Sequence, residues 1–339
     1  SNGIPYEEWR PESNLRLEQY DVAFFTHPYD RERPRNFWFN QVRARVKKIV
    51  YVPYGLSVGA GTKNLSYQYG QPLQRGADLI VARSPAEKSM YAKYCPVGDD
   101  HVQVLGHPRF DYLLKNLSNT HDTELEKRIN GRLTILWNSH FSFRHSYSQS
   151  SNFSTFDLLG PELFDYFIER RETHCLLWRP HPGLLPVLIK QNLLSQEQIP
   201  ILRKELESLG IVLDEQSSHL PAFVYSHAML SDPGTFLFEY LAMGKPFLPL
   251  INPEGEPLNI EASEMISACG YATSFFTIKE FIEGIYQDVI DNKKYITLQQ
   301  RYLPMLLGST GVRICEALLG KEIPFTIKQL NSQRSNIYV

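Results

Sequence analysis

The 339 residues are 42% hydrophobic and 21% charged, a globular composition that suits two domains or one large one, with no low-complexity tract or internal repeat. A net charge of −2 and a pI near 6.6 argue against a nucleic-acid binder held by a broad basic face. Cys95, Cys175, Cys269 and Cys315 are far apart with no C-x-x-C pair, so they read as thiols of a reducing compartment and not as a disulfide or zinc framework.

Residues 1–19 are polar, with Trp9 and two prolines, and read as a loop or short helix. No signal peptide precedes the first strand and no apolar run is long enough for a bilayer, so a cytoplasmic protein is expected. Strands are predicted at 22–26, 49–52, 78–82 and 101–105, with helices at 37–48 and 86–94. The alternation restarts with strands at 133–137, 174–178, 211–213, 228–230 and 247–250. Helices are predicted at 161–171, 198–209, 235–243, 261–269, 277–292 and 298–319. Short apolar strands between helices predict parallel α/β sheets buried on both faces.

The break lies in the charged stretch between about 112 and 132. It predicts two Rossmann-like, doubly wound domains facing a cleft: an N-terminal one over 1–118 and a C-terminal one over 119–339. Only about four strands precede the break, so an N-terminal domain lacking an upstream strand–helix unit is expected. The polar end, 321–339, is expected to fold back or fray.

In open α/β sheets ligands bind beyond the carboxyl ends of the strands, and every polar motif here occupies such a position. Ser231 and Asp232 follow the run 228–230, Pro233-Gly234 turns, and Thr235 is a plausible N-cap. That helix start suits a phosphate, and Glu239 lies one turn on, within reach of a ribose hydroxyl. Arg179-Pro180-His181-Pro182 can aim a guanidinium and an imidazole at one anion. The alternative is a loop arginine paired to a nearby carboxylate. Asn138 and Ser139 offer small polar groups, and the serine-rich stretch to Ser154 suggests mobility. Gly106-His107-Pro108-Arg109-Phe110-Asp111 reads as a hinge whose His107 and Arg109 line the cleft. Tyr54, with Gly55, Gly59 and Gly61, marks a flexible loop, and His27 ends the first strand.

P-loop, dinucleotide, nucleophile-elbow and H-E-x-x-H patterns are absent, so no metal or bound cofactor is expected. His101, His121, His174, His219 and His227 lack ligand spacing and read as surface or satisfied core groups. Arg43, Arg45, Lys47 and Lys48 read as a solvated face before a membrane patch.

Taken together, Gly106-His107-Pro108-Arg109-Phe110-Asp111, Arg179-Pro180-His181-Pro182 and Ser231-Asp232-Pro233-Gly234-Thr235, with Glu239 and Lys245-Pro246, resemble the CDP-glycerol glycerophosphotransferases. These are the teichoic-acid primases and polymerases, of GT-B fold. The resemblance implies a metal-independent transferase with a nucleotide-activated, CDP-linked donor as substrate and a glycan or lipid-linked acceptor. It implies that Ser231, Asp232, Gly234 and Thr235 hold phosphate, with Asn138 and Ser139 beside them. Glu239 would bind ribose, and Arg179 and His181 would meet the diphosphate. It also implies a cytoplasmic enzyme that contacts the inner face of the membrane peripherally. Where the family commonly has Trp-His-Gly, this chain has Pro53-Tyr54-Gly55, which leaves His27, or Asp30 beside it, as the expected base. A glycosyltransferase using a nucleotide sugar or a CMP-activated sugar acid, a nucleotide-sugar epimerase and a non-catalytic glycan-binding module are the rival readings.

Overall fold

The computed structural model describes residues 8–10, 16–142, 152–306 and 308–320, without the side chains of residues 62 and 63. Most of the opening stretch, the serine-rich residues 143–151 and the end at 321–339 lie outside the described residues.

Among the described residues nine strands form two parallel sheets. The first contains β1 (Val22–Phe25), β2 (Lys48–Tyr51), β3 (Leu79–Ala82) and β4 (Val102–Val104), in the order β1-β2-β3-β4. The second contains β5 (Leu133–Asn138), β6 (His174–Trp178), β7 (Val212–Leu213), β8 (Ala228–Ser231) and β9 (Phe247–Pro249), in the order β7-β6-β5-β8-β9. The first sheet adds strands in chain order, whereas the second turns back at β5, and that reversal opens a crevice beyond the ends of β5 and β8. Strand side chains alternate between faces. Ile135, Trp137, Leu176 and Trp178 pack on one face of the second sheet, and Leu136, Cys175, Leu177 and Met229 on the other. Both faces are buried, which is why the strands read as continuous apolar runs.

The helices in chain order are α1 (Phe39–Arg43), α2 (Thr62–Tyr69), α3 (Pro72–Gly76), α4 (Pro85–Tyr94), α5 (Pro108–Leu117) and α6 (Thr123–Ile129). There follow α7 (Phe156–Glu169), α8 (Leu184–Lys190), α9 (Ile199–Ser208), α10 (Leu220–Tyr225) and α11 (Thr235–Leu241). The last four are α12 (Ile260–Cys269), α13 (Phe275–Tyr286), α14 (Asn292–Tyr302) and α15 (Thr310–Leu318). Three differ plainly from expectation. The helix predicted over 37–48 shrinks to α1, because β2 already begins at Lys48. α7 starts five residues early and carries Pro161 inside it, since the Asp232 carboxylate accepts from the Thr155 N–H at 3.1 Å and fixes the entry. The helix predicted over 298–319 splits into α14 and α15, because Pro304 cannot continue it and Gly308 (φ 69°) and Ser309 (φ 59°) turn left-handed.

The chain passes between the two sheets twice. α5 lies inside the segment expected for the first domain, yet Phe110 and Leu113 pack in the core beneath the second sheet. α15 returns: Ile314 packs on Val50, Leu79, Val81 and Leu105 of the first sheet. The crossings are tied together. Asp111 accepts from the Thr310 N–H (2.6 Å) and hydroxyl (3.1 Å) at the start of α15, and Arg313 Nε donates to the Leu105 carbonyl at 2.7 Å.

Other links close the cleft. Ala60 N donates to the Pro257 carbonyl (2.8 Å) and Asn259 N to that of Val58 (2.7 Å), so the glycine-bearing loop after β2 is docked on the second half. Beneath it Arg83, 2% exposed, donates to Glu87 Oε1 at 2.8 Å and to Glu261, whose other oxygen accepts from Ser84 Oγ at 2.6 Å. The basic cluster is not a free patch. Lys47 meets Asp21 (2.7 Å), Arg45 meets Glu18 (3.4 Å), Arg43 pairs with Asp78, and Lys48 donates to the Leu318 carbonyl (2.8 Å).

Candidate functional site

A cavity of about 740 Å³ opens between the sheets, at the carboxyl ends of their strands. Of the residues singled out from sequence, Tyr54, Arg109, Asn138, Arg179, His181, Gly234 and Thr235 line it. Ser139, Ser231, Asp232, Glu239, His107, Asp111 and His27 do not.

His181 sits on the turn after β6, where its backbone N–H donates to the Ser139 carbonyl at 2.8 Å. Its Nδ1 accepts from the Gly183 N–H at 3.0 Å, which leaves the ring proton on Nε2. The residue as a whole is exposed, but Phe141 packs on the ring with centroids 4.5 Å apart, and this partial desolvation lowers the imidazole pKa. His181 is therefore a neutral N–H donor in the cleft. Beside it, His140 repeats the geometry: Nδ1 accepts from the Ser142 N–H at 3.1 Å, with ring centroids 5.6 Å from His181. Burial, helped by His181, pushes the His140 pKa down to about 3. In the sequence His140 belongs to the same polar turn as Asn138 and Ser139, with nothing there to single it out from them.

Arg179 follows the alternative left open by the sequence. Nη1 donates to Asp214 Oδ2 at 2.6 Å and Nη2 to the Gln216 carbonyl at 2.7 Å. Its charge is matched by Asp214, and the pair stiffens the turn that carries His181.

At the end of β8 the polar side chains bind one another. Ser231 Oγ donates to the Asp232 carbonyl (2.8 Å), Asn138 Nδ2 to the Arg179 carbonyl (2.9 Å), and Trp178 Nε1 to Ser139 Oγ (3.0 Å). Asp232 accepts from the His140 N–H (2.7 Å) and the Thr155 hydroxyl (2.6 Å), pinning two neighbouring loops, and burial pushes its pKa up to about 7. The N-cap of α11 is Gly234, not Thr235 as expected, because the Thr235 hydroxyl instead accepts from the Leu56 N–H at 3.3 Å. Lys245 lies outside the cavity. Its Nζ donates to the carbonyls of Phe223, Val224 and Ser226 at 2.8–2.9 Å, filling the orphan acceptors at the end of α10.

Arg109 joins the halves at the cavity wall. Nη1 donates to Glu239 Oε1 at 2.9 Å and Nη2 to the Tyr54 carbonyl at 2.6 Å. Glu239 is fully buried, and its Oε2 lies 2.9 Å from His219 Nε2 without the alignment of a hydrogen bond. His219 lines the cavity, which corrects the expectation of a surface or satisfied core group.

His107 is a structural cap. Nδ1 accepts from the Arg109 N–H (3.1 Å) at the start of α5, and Nε2–H donates to the Pro53 carbonyl (2.6 Å). Burial, with the nearby Arg109 and Arg83 charges, lowers its pKa from 6.5 to about 4. Between those values the unfolded chain holds a proton that the folded chain does not, so stability falls as pH drops through that window, by about 3 kcal/mol for this group. Urea midpoints at pH 7 and pH 5 check this. His107→Asn, which can still cap α5, should lose less stability than the parent between the two, and an equal loss counts against the assignment.

His27 and Asp30, the expected bases, stand apart from the cavity. Arg33 Nη2 approaches His27 Nδ1 at 3.4 Å, and burial, then the Arg33 charge, lowers the His27 pKa. Asp30 Oδ1 accepts from the Phe39 N–H at 2.9 Å. The wall there is made instead by Tyr29, Tyr51, Tyr69, Tyr91 and Glu87, which had no distinguishing spacing. Among the described residues no group of three or more His, Cys, Asp or Glu could hold a metal ion, and no helix is long and apolar enough to cross a membrane.

No protein-family model matches the chain, and no curated protein does. Solved structures match well in shape. The wall teichoic acid polymerase TagF, as a histidine-to-asparagine variant, superposes with TM-score 0.54 over 93% of this chain and 74% of its own, at 11% identity. MnaA of S. aureus with UDP gives 0.56 over 91% and 80%, at 16% identity. The UDP-GlcNAc 2-epimerase of Neisseria meningitidis bound to UDP-GlcNAc gives 0.53 over 89% and 76%, at 19% identity. The fold is GT-B. The likeness to a teichoic acid polymerase that the motifs indicate is therefore present in the architecture, alongside a likeness to epimerases. The β5–β9 half and the β1–β4 half face each other across the cavity.

Proposed function

We propose that the chain is a transferase of cell-surface polymer synthesis. It takes a nucleotide-activated donor, CDP-linked in the first instance, and passes a glycerophosphate, a related alditol phosphate or a sugar to a glycan or lipid-linked acceptor. The observation that carries this reading is His181: a neutral Nε2–H donor on a stiffened turn, in the cleft of a GT-B fold, with Gly234 and Thr235 in the same wall. An imidazole held this way can donate to the phosphate oxygen that gains charge as the donor bond breaks, without itself titrating near neutral pH. In this reading the diphosphate lies along His181, Gly234 and Thr235, and the ribose hydroxyls meet His219, with the buried Glu239 behind it. Arg179 acts through its bond to Asp214, holding the turn.

The second reading is a nucleotide-sugar epimerase. It is favoured by the comparable TM-scores to the UDP-GlcNAc 2-epimerases, which are somewhat closer in sequence. One experiment covers both. Melting temperature is measured with CDP-glycerol, CMP-, UDP- and GDP-linked sugars, then turnover is followed with and without acceptor. A donor at a hundred times its Kd stabilises by about 2.7 kcal/mol. Turnover that requires an acceptor supports the transferase, and isomerisation of a nucleotide sugar alone supports the epimerase. No shift with any nucleotide defeats both.

A further inference from the structure

The end of the cavity formed by the first half has a chemistry of its own. Tyr29, Tyr51, Tyr69 and Tyr91 line it, with the Tyr69 and Tyr91 rings edge to face at 4.9 Å and 87°. Burial raises the hydroxyl pKa of all four, so they stay protonated donors. Asn64 Nδ2 and Gln68 Oε1, both on α2 and both shielded from solvent, reach the same wall with no hydrogen-bond partner. One is a donor and the other an acceptor.

The charges point the same way. The cations lining the cavity among the described side chains are Arg109 and Arg179, each already held by a carboxylate, Glu239 at 2.9 Å and Asp214 at 2.6 Å. On the tyrosine side the charged lining group is Glu87, bound to Arg83 behind it at 2.8 Å. A phosphate there would be desolvated beside a carboxylate with no cation among the described side chains to meet it, which is costly. An uncharged sugar ring meets no such penalty. Its C–H faces pack on the aromatic rings while its hydroxyls satisfy amides and phenols.

We infer that this end of the cavity is a subsite for an uncharged pyranose ring of the acceptor, and not for a polyol-phosphate chain. The inference rests on the transferase reading for the word acceptor; the sugar subsite itself rests on Asn64, Gln68 and the tyrosines. The test is saturation-transfer NMR on the whole chain, with and without CDP. The probes are the methyl glycosides of glucose, galactose, N-acetylglucosamine and N-acetylmannosamine, and glycerol 3-phosphate as the charged competitor. Ring-proton saturation of at least one glycoside is expected, weakened about tenfold by Asn64→Ala or Gln68→Ala, the equivalent of one lost hydrogen bond. Binding of glycerol 3-phosphate that displaces the glycosides, saturation of none of them, or indifference to both substitutions overturns it. Melting shifts with nucleotides on the same samples separate the two proposals. A nucleotide response without glycoside binding defeats the subsite alone. Substitution-sensitive glycoside binding without any nucleotide response keeps the sugar site and defeats the transferase reading.

Discussion

Replacing His181 with alanine is expected to slow donor cleavage about a hundredfold or more, the usual consequence of removing one preorganised donor from a developing oxyanion. The size of the effect follows from how the ring is held. The Gly183 N–H fixes Nδ1 as acceptor and Phe141 packs on the ring, so Nε2–H reaches the transition state without reorganising. Burial lowers the pKa from its usual 6.5, so the neutral form dominates between pH 8 and pH 7, and the rate should show no rise on protonation of this ring across that range. His181→Gln keeps an N–H donor of similar reach and should recover part of the loss, whereas His181→Phe should recover none. The measurement is kcat and KM for the donor identified by melting shift. An alanine variant within threefold of the parent in kcat/KM would remove His181 from the mechanism. The fold should survive, because the turn is held separately by Arg179 and Asp214.

Arg83→Ala should be the most damaging single change to stability, costing about 3–5 kcal/mol, the range for a buried pair stripped of one partner. Arg83 lies at the end of β3 with its guanidinium 4.5 Å over the Phe238 ring and its N–H groups on Glu87 and Glu261. Its loss leaves two carboxylates, 6% and 2% exposed, with no counter-charge. Burial already raises the Glu87 pKa with Arg83 in place, so the truncated site should take up a proton on folding. The triple change Arg83→Ala, Glu87→Gln, Glu261→Gln should therefore be more stable than the single one, because it removes the charges together with their partner. Urea unfolding of the parent, single and triple variants decides it. A single variant within about 1 kcal/mol of the parent, or a triple variant less stable than the single, would show that the network is not a charge-balanced unit.

Much of the fold is legible in the sequence because it is written in short-range pattern. All nine strands fall within a residue or two of their predicted places, since two-sided burial leaves unbroken apolar runs such as His174–Trp178. α2, α3, α5, α6, α8 and α10 are not legible. None exceeds ten residues, α3, α5 and α10 carry proline in the first turn, and α6 starts on a polar cap, where Asp122 Oδ1 accepts from the Leu125 N–H at 2.9 Å. The site shows the same division. Polar turns after strands mark the cavity, so His181, Arg179 and Thr235 are visible as candidates. Partners are not, because Arg109 finds Glu239 across 130 positions and Arg179 finds Asp214 across 35. Periodicity carries no such information, and those pairings separate the ring that faces the cavity from the guanidinium that stiffens its turn.

The return of α15 to the first sheet has a consequence for the order in which the protein can be made. Ile314 covers Val50, Leu79, Val81 and Leu105, and Arg313 holds the Leu105 carbonyl from 208 positions downstream. During synthesis the first sheet emerges before the second with one face bare, and it must wait for the 208 positions from Leu105 to Arg313 before that face is covered. Closing so long a loop adds only modest entropy but imposes delay. The nascent first half is thus an open, sticky intermediate for as long as the ribosome takes to translate the second. A stop codon anywhere before α15 would leave that apolar face permanently exposed, so truncations that remove α15 should surface as aggregation and not as a smaller folded protein.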